Sequence, residues 1–240
     1  DPACGSGVFL VSAFKRLVQC WRMANGWRRP DQQQLKSILA TSIHGIDKKE
    51  EAVLVTAFSL AVALCDELEP KVIWECLQFD DLRDRNLFAR DFFEVAGTDP
   101  QVSGFDVVVG DPPFTEEYTT PAARRAAAER PAEAPPIPGN QIALLFLETS
   151  MRVCREGGRV CLLQDSSPLL YNLTGQEYRE YLFGWRSFNA VLDFTPLERT
   201  LFGNAEVNAC AVLGINEPSS ENPILHAVFR RTLATDGKLS

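Results

Sequence analysis

The chain has 240 residues, 45% of them hydrophobic, and a formal charge of −8 at pH 7; this supports one domain with a sizeable core and argues against a broad basic nucleic-acid footprint of its own. No apolar run reaches membrane length and no secretory leader is read at the start. Seven cysteines without a C-x-x-C pair and only two histidines, His44 and His226, disfavour a disulfide framework, a zinc site and a Ser-His hydrolase, and read as reduced thiols in a cytoplasmic protein.

Asp1-Pro2-Ala3-Cys4-Gly5-Ser6-Gly7 opens the chain as a loop, and Val8 to Val18 follows with apolar residues at helical spacing. Gly5 and Gly7 allow a tight turn and close approach of backbone to a ligand at the helix N-terminus. A dinucleotide fingerprint needs a third glycine where Leu10 stands, so the pyrophosphate version of the motif is not met. The helix should end at Asn25-Gly26, and the polar stretch 25–34 reads as a loop with room for a short helix. His44-Gly45-Ile46-Asp47 reads as a strand end carrying a carboxylate. Asp47 can cap the helix beginning at Lys48, or accept from two hydroxyl donors, and the two roles are compatible. It stands 46 positions after Asp1, whereas a nicotinamide fold expects its acidic residue about 20 positions on. Ala52 to Cys65 reads as a buried helix, and Asp91-Phe92-Phe93 follows Asn86-Leu87-Phe88-Ala89, with at least one phenylalanine in the core.

Phe105 to Val109 is an apolar run of the kind that forms a strand covered on both faces, and Asp111 lies just beyond its carboxyl end, where open α/β sheets bind ligands. Pro112 and Pro113 fix the backbone and remove two donors, so the carbonyls around Asp111 stand as stiff acceptors. An exocyclic NH2 is a natural guest for such a set, and Phe114 adds a flat stacking face. The simpler alternative is that the proline pair ends a strand and Phe114 is core.

Residues 115–139 form a long excursion with a helix starting at Thr120-Pro121 and a proline-rich second half; in that position a lid or recognition loop is expected. Asn140 should cap a helix with Ile142, Leu145, Phe146 and Thr149 on one face, ended by Gly157-Gly158. A strand is expected over 159–163, a helix over 176–183, and an antiparallel hairpin from 190–194 and 207–215 at the sheet edge.

Taken together, DPACGSGVFL at the start and Asp111-Pro112-Pro113-Phe114 resemble the gamma-class DNA adenine-N6 methyltransferases, and the order of segments agrees over nearly the whole chain. The resemblance implies a Rossmann-like S-adenosylmethionine-dependent fold: α/β, a mostly parallel twisted sheet with an antiparallel edge hairpin, its first strand ahead of Asp1 and missing. It implies a partial catalytic domain over 1–231 and the start of a linker over 232–240. S-adenosylmethionine would be held by Asp1, Ala3, Cys4, Gly5 and Gly7, its ribose by Asp47 and its adenine by Asp91 and Phe92. Asp111, Pro112, Pro113 and Phe114 would act on a flipped adenine in double-stranded DNA, within a restriction-modification or phage-defence system. A target-recognition domain would lie elsewhere in the parent protein, and no membrane is involved. The family usually has Asn where Asp111 stands, which leaves the methylated base open. An RNA or protein-glutamine methyltransferase, and a non-catalytic cofactor-binding or DNA-recognition scaffold, are the competing readings.

Overall fold

A computed structural model describes residues 1–201, 208–220 and 222–230; the expected linker at 232–240 lies outside them. The chain divides into two compact units, Asp1–Phe92 and Phe93–Ser240.

In the first unit α1 (Val8–Ala24) buries Leu10, Phe14 and Val18 at four-residue spacing and ends at Asn25, as expected. The stretch read as a loop with room for a short helix is non-helical through Asp31 and then starts α2 (Gln32–Ser42), where Asp31 and Gln34 form a reciprocal capping box. Strand β1 (Gly45–Asp47) follows, then α3 (Glu50–Cys65) and α4 (Pro70–Cys76), and β2 (Leu87–Ala89) pairs with β1 in parallel. Buried Asn86 donates to the carbonyls of Ala40 and Ile43 at 3.0 and 2.9 Å, tying the end of α2 to the start of β2. Phe14, Leu35, Leu60 and Leu87 are fully buried in this core, each contributing about 1.5–3 kcal/mol of transfer free energy. The expectation of a wholly buried α3 is corrected: Val53, Leu60 and Leu64 are buried, while Leu54, Val55, Phe58 and Val62 are exposed on the other side. Apolar residues encircle this helix, but only one side of it meets the core. Asp1 donates its backbone nitrogen to His44 O and accepts from Ile46 N, both at 2.9 Å, the two-sided pattern of a parallel ladder beside β1.

The short helix α5 (Phe92–Val95) leads into the second unit, whose elements are β3 (Phe105–Gly110), α6 (Pro121–Ala128), α7 (Ile142–Val153), β4 (Cys154–Asp165), α8 (Gln176–Trp185), β5 (Arg186–Asp193), α9 (Glu198–Leu201), β6 (Ala209–Pro218) and β7 (Leu225–Val228). The five strands run in the order β3-β4-β6-β5-β7. β3 and β4 are parallel, with Gly110 opposite Leu162, so the carboxyl ends of both point the same way. The expected antiparallel pair is present as β5 and β6, but it is not the outermost: β6 lies between β4 and β5, and β7 adds to the far side of β5 in parallel.

Three local expectations are corrected. α7 is capped at Gln141, because Asn140 sits at φ 50° in a preceding 3-10 turn, and nearly the whole helix is buried rather than one face. α7 ends at Val153, and Gly157-Gly158 lie inside β4, where Gly157 takes φ 70°. In β3, Val108 is buried but Val107 is 56% exposed, so the strand is not covered on both faces along its length.

Candidate methyltransferase site

The opening loop is built by its own backbone. Asp1 Oδ1 accepts from Ala3 N at 3.0 Å, Cys4 N donates to Ile46 O at 2.9 Å, and Gly7 N closes back on Cys4 O at 2.7 Å. Gly5 and Gly7 take φ 53° and 84°, the left-handed region that favours glycine. Asp47, at the end of β1, receives Gly5 N on Oδ2 at 3.0 Å and Lys49 N on Oδ1 at 2.9 Å. It therefore staples the loop and caps a turn; the helix cap itself is Lys49. Each of its oxygens keeps a second lone pair for a hydroxyl donor.

Thr56, fully buried on α3, completes the loop by donating to Gly5 O at 2.9 Å, and a Cβ on Gly7 would lie 3.0 Å from its Cγ2. The sequence pattern singles out the glycines but not this threonine, which hides in an apolar helix. Gly7 is the N-cap of α1 without a capping side chain, and the first turn carries no acidic residue. The partial positive end of a 17-residue helix thus stands ready for an anionic group. Cys4 is buried, and burial above all pushes its thiol up, with Asp47 adding to the rise; it packs rather than reacts.

Asp1, Ala3, Cys4, Gly5, Gly7 and Asp47 thus form one bonded group. Asp47 pairs in register with Ala89 of β2, so Asp91, two residues on, lies past the carboxyl end of the adjoining parallel strand. Phe92 is buried, and Phe93 meets Phe146 edge to face at 4.6 Å, the core role expected for one of the two.

In the second unit Asp111 follows the last residue of β3. Its side chain is exposed and, among the described residues, its carboxylate has no hydrogen-bond or ion-pair partner. The protein packed beside it still desolvates the group enough to raise its pKa. Pro112 is buried, Pro113 exposed and Phe114 half-buried. Thr115 O accepts from Ile142 N at 3.0 Å, which places the start of α7 next to this tetrapeptide. Gln141, the residue before Ile142, is buried; its Nε2 reaches Asp165 Oδ2 at 3.4 Å and its Oε1 has no partner among the described residues. Asp165 ends β4, the strand beside β3, so this polar pair shares the end of the sheet that carries Asp111. Neither residue was singled out from sequence; the signal for Asp165 is its place at the carboxyl end of the next strand.

Among the described residues no group of three potential metal ligands occurs, and no helix is long and apolar enough to cross a membrane. All seven cysteines are free. Comparison with known proteins gives a match to the Eco57I restriction-modification methylase family over residues 41–200. A stretch of 65 residues, 26% of the chain, is 38% identical to the adenine-specific methyltransferase PglX of Streptomyces coelicolor and covers 5% of that protein. Among solved structures, a nuclease-deletion mutant of the type ISP restriction-modification enzyme LlaGI in complex with a DNA substrate mimic superposes with a TM-score of 0.68 at 12% identity, over 95% of this chain and 21% of that one. A Listeria monocytogenes protein assigned to the class I S-adenosylmethionine-dependent methyltransferases gives 0.56 at 14% identity, over 96% of this chain and 58% of that one. The chain therefore spans only part of the length of these relatives, and the structural matches speak for a class I methyltransferase fold. The family match extends over more than half of the sequence, and the chain belongs to the Eco57I restriction-modification methylase family.

Proposed function

We propose that this chain carries the chemistry of an S-adenosylmethionine-dependent transfer of a methyl group to the N6 amino group of adenine in double-stranded DNA, within a restriction-modification or phage-defence enzyme. The observation that carries the reading is the Asp111 carboxylate at the end of β3, without a hydrogen-bond or ion-pair partner among the described residues and set before two prolines and a half-buried phenylalanine. When bound, the sulfonium cofactor supplies a carbon already activated for attack. The protein's task is then to align the acceptor nitrogen and stabilise the charge that builds on it. Asp111 and the Pro112 carbonyl accept the two amino hydrogens, drawing the nitrogen lone pair out of conjugation with the ring. Phe114 offers a stacking face to a base taken out of the duplex. On the donor side, the open N-terminus of α1 and the Gly5–Gly7 turn suit the carboxylate of the amino-acid moiety, Asp47 the ribose hydroxyls, and Asp91 with Phe92 the adenine. The donor set fits the group: Asp47 has lone pairs to spare, and a Cβ at Gly5 would meet nothing within 4 Å, leaving the loop surface open. The name of the PglX relative favours adenine among bases. The DNA sequence itself would be read by a target-recognition domain elsewhere in the parent protein.

The test is methylation of host DNA by the full-length protein and by Asp111→Ala and Asp111→Asn. Asp111→Ala is expected to abolish N6-methyladenine with cofactor affinity intact, because its contacts strengthen as the nitrogen attacks. Asp111→Asn should retain activity, since the amide oxygen remains an acceptor. N4-methylcytosine in place of N6-methyladenine would overturn the base assignment. Full activity in Asp111→Ala would overturn the mechanism.

A further inference from the structure

The excursion after the catalytic tetrapeptide is a built structure. Thr120 caps α6 by accepting from Ala123 N at 3.1 Å, Arg124 Nη1 reaches Tyr118 O at 2.9 Å, and Ala134 N closes a turn on Pro131 O at 2.9 Å. Its front is tied to α7 by the bond from Ile142 N to Thr115 O. Its middle is tied by Arg130, whose Nε and Nη2 donate to the two oxygens of Glu148 at 2.9 and 2.8 Å in a bidentate fork. The Arg130 side chain is 7% exposed and that of Glu148, inside α7, 0%. A third donor, Nη1, holds Pro135 O at 2.8 Å, and the guanidinium lies 5.8 and 5.9 Å from the ring centres of Tyr178 and Tyr181 on α8. Arg152 also approaches Glu148, at 3.7 Å.

A buried pair of this kind is weak grounds for stability, since desolvating two charges offsets most of their attraction; its fork geometry instead specifies one arrangement of the parts it joins. The parts joined here are the segment that leaves Phe114 and the helix whose first residues lie against it. Resting on the methyl-transfer reading above, we propose that Arg130 and Glu148 are positioning residues that lock segment 115–139 onto α7, so that this segment forms a prebuilt wall for the acceptor base rather than a lid that opens and closes. Neither residue touches the reacting atoms. Their effect runs through the placement of Phe114 and the excursion, and it falls on acceptor binding and turnover, leaving cofactor binding alone.

The test uses the full-length protein with Arg130→Lys, Glu148→Gln and the double substitution Arg130→Met/Glu148→Leu, which removes both charges and keeps the packing. Each single variant leaves a buried group poorly paired and is expected to lower the melting temperature. The double variant should recover the melting temperature but not the activity. All three are expected to lose about tenfold or more in kcat/KM for DNA, the scale on which small misplacements of reacting groups act, with S-adenosylmethionine affinity by calorimetry within about twofold of wild type. Hydrogen exchange should show segment 115–139 losing protection in every variant. A double variant with wild-type kcat/KM would overturn the proposal, as would cofactor affinity that falls in step with activity. If wild type itself methylates no DNA, the methyl-transfer reading fails and the exchange measurement still decides the anchor: unchanged protection of 115–139 in the double variant would refute it.

Discussion

On the proposed reading, Asp111 couples chemistry to stability. Packing raises its pKa, so protonation removes an acceptor at a pH above the ordinary aspartate value of about 3.9. The pH–rate profile of kcat/KM, which reports the free protein, is therefore expected to fall on its acid side through that raised pKa, and Asp111→Asn to flatten the limb. An unchanged limb in Asp111→Asn would assign it to another group. The stability sign follows from the same shift. A carboxyl whose folded-state pKa lies above its unfolded value contributes stability that is full below the unfolded pKa and lost as the pH rises through the folded one. Asp111→Asn is accordingly expected to raise the melting temperature at pH 7, with the gain vanishing in acid. Asp47 is the corresponding test on the donor side. Asp47→Ala removes the acceptor of Gly5 N and Lys49 N and, on the proposed reading, two hydroxyl contacts to the cofactor, at about 1.5–3 kcal/mol each at most. Calorimetry returning wild-type cofactor affinity would leave Asp47 a loop staple only.

At the scale of elements, the seating of α1 on β1 depends on Gly45. A Cβ there would lie 2.6 Å from Leu10 Cδ1, 3.0 Å from Leu87 Cδ2 and 3.2 Å from Cys4 Sγ. Gly45→Ala is expected to cost about 1–3 kcal/mol by overpacking, read as a lower thermal midpoint, and to weaken cofactor binding because Cys4 belongs to the loop. A midpoint equal to wild type would mean that Leu10 moves aside without penalty. The elements also show what a sequence discloses. The period of Leu10, Phe14 and Val18, the run 105–109 and the Thr120-Pro121 start were readable because each is a local pattern with a local cause. The capping box of Asp31 and Gln34 is equally local, and it starts a helix longer than the short one for which the polar stretch leaves room. Gly157-Gly158 misled in the other direction: a glycine pair after an apolar helix reads as its stop, whereas here it lies inside β4, with backbone carbonyls 2.8 Å from where a Cβ of Gly158 would stand. Thr56 and Gln141 were not legible, because their roles depend on partners brought together only by the fold.

At the scale of the molecule, the charge of −8 is consistent with the pairing of its cations: Arg22, Arg29, Arg83, Arg130 and Arg155 all meet carboxylates. The exposed pair Arg124-Arg125 on α6 meets no carboxylate among the described residues. Replacing both with Ala in the full-length protein is expected to leave the slope of log affinity against log salt unchanged for DNA binding. A slope shallower by about two would place this pair on the phosphates. The order of the second sheet has a different consequence, for how the protein is made. β6 bridges β4 and β5, pairing residue 159 with 215 and residue 193 with 210, so during synthesis two apolar strands must wait with open edges for a third that the ribosome has not yet released. Non-local pairing of this kind slows folding and leaves sticky intermediates. A nascent chain halted before residue 209 should therefore be a client of chaperones, and one that has emerged past residue 228, with β7 also paired to β5, should not.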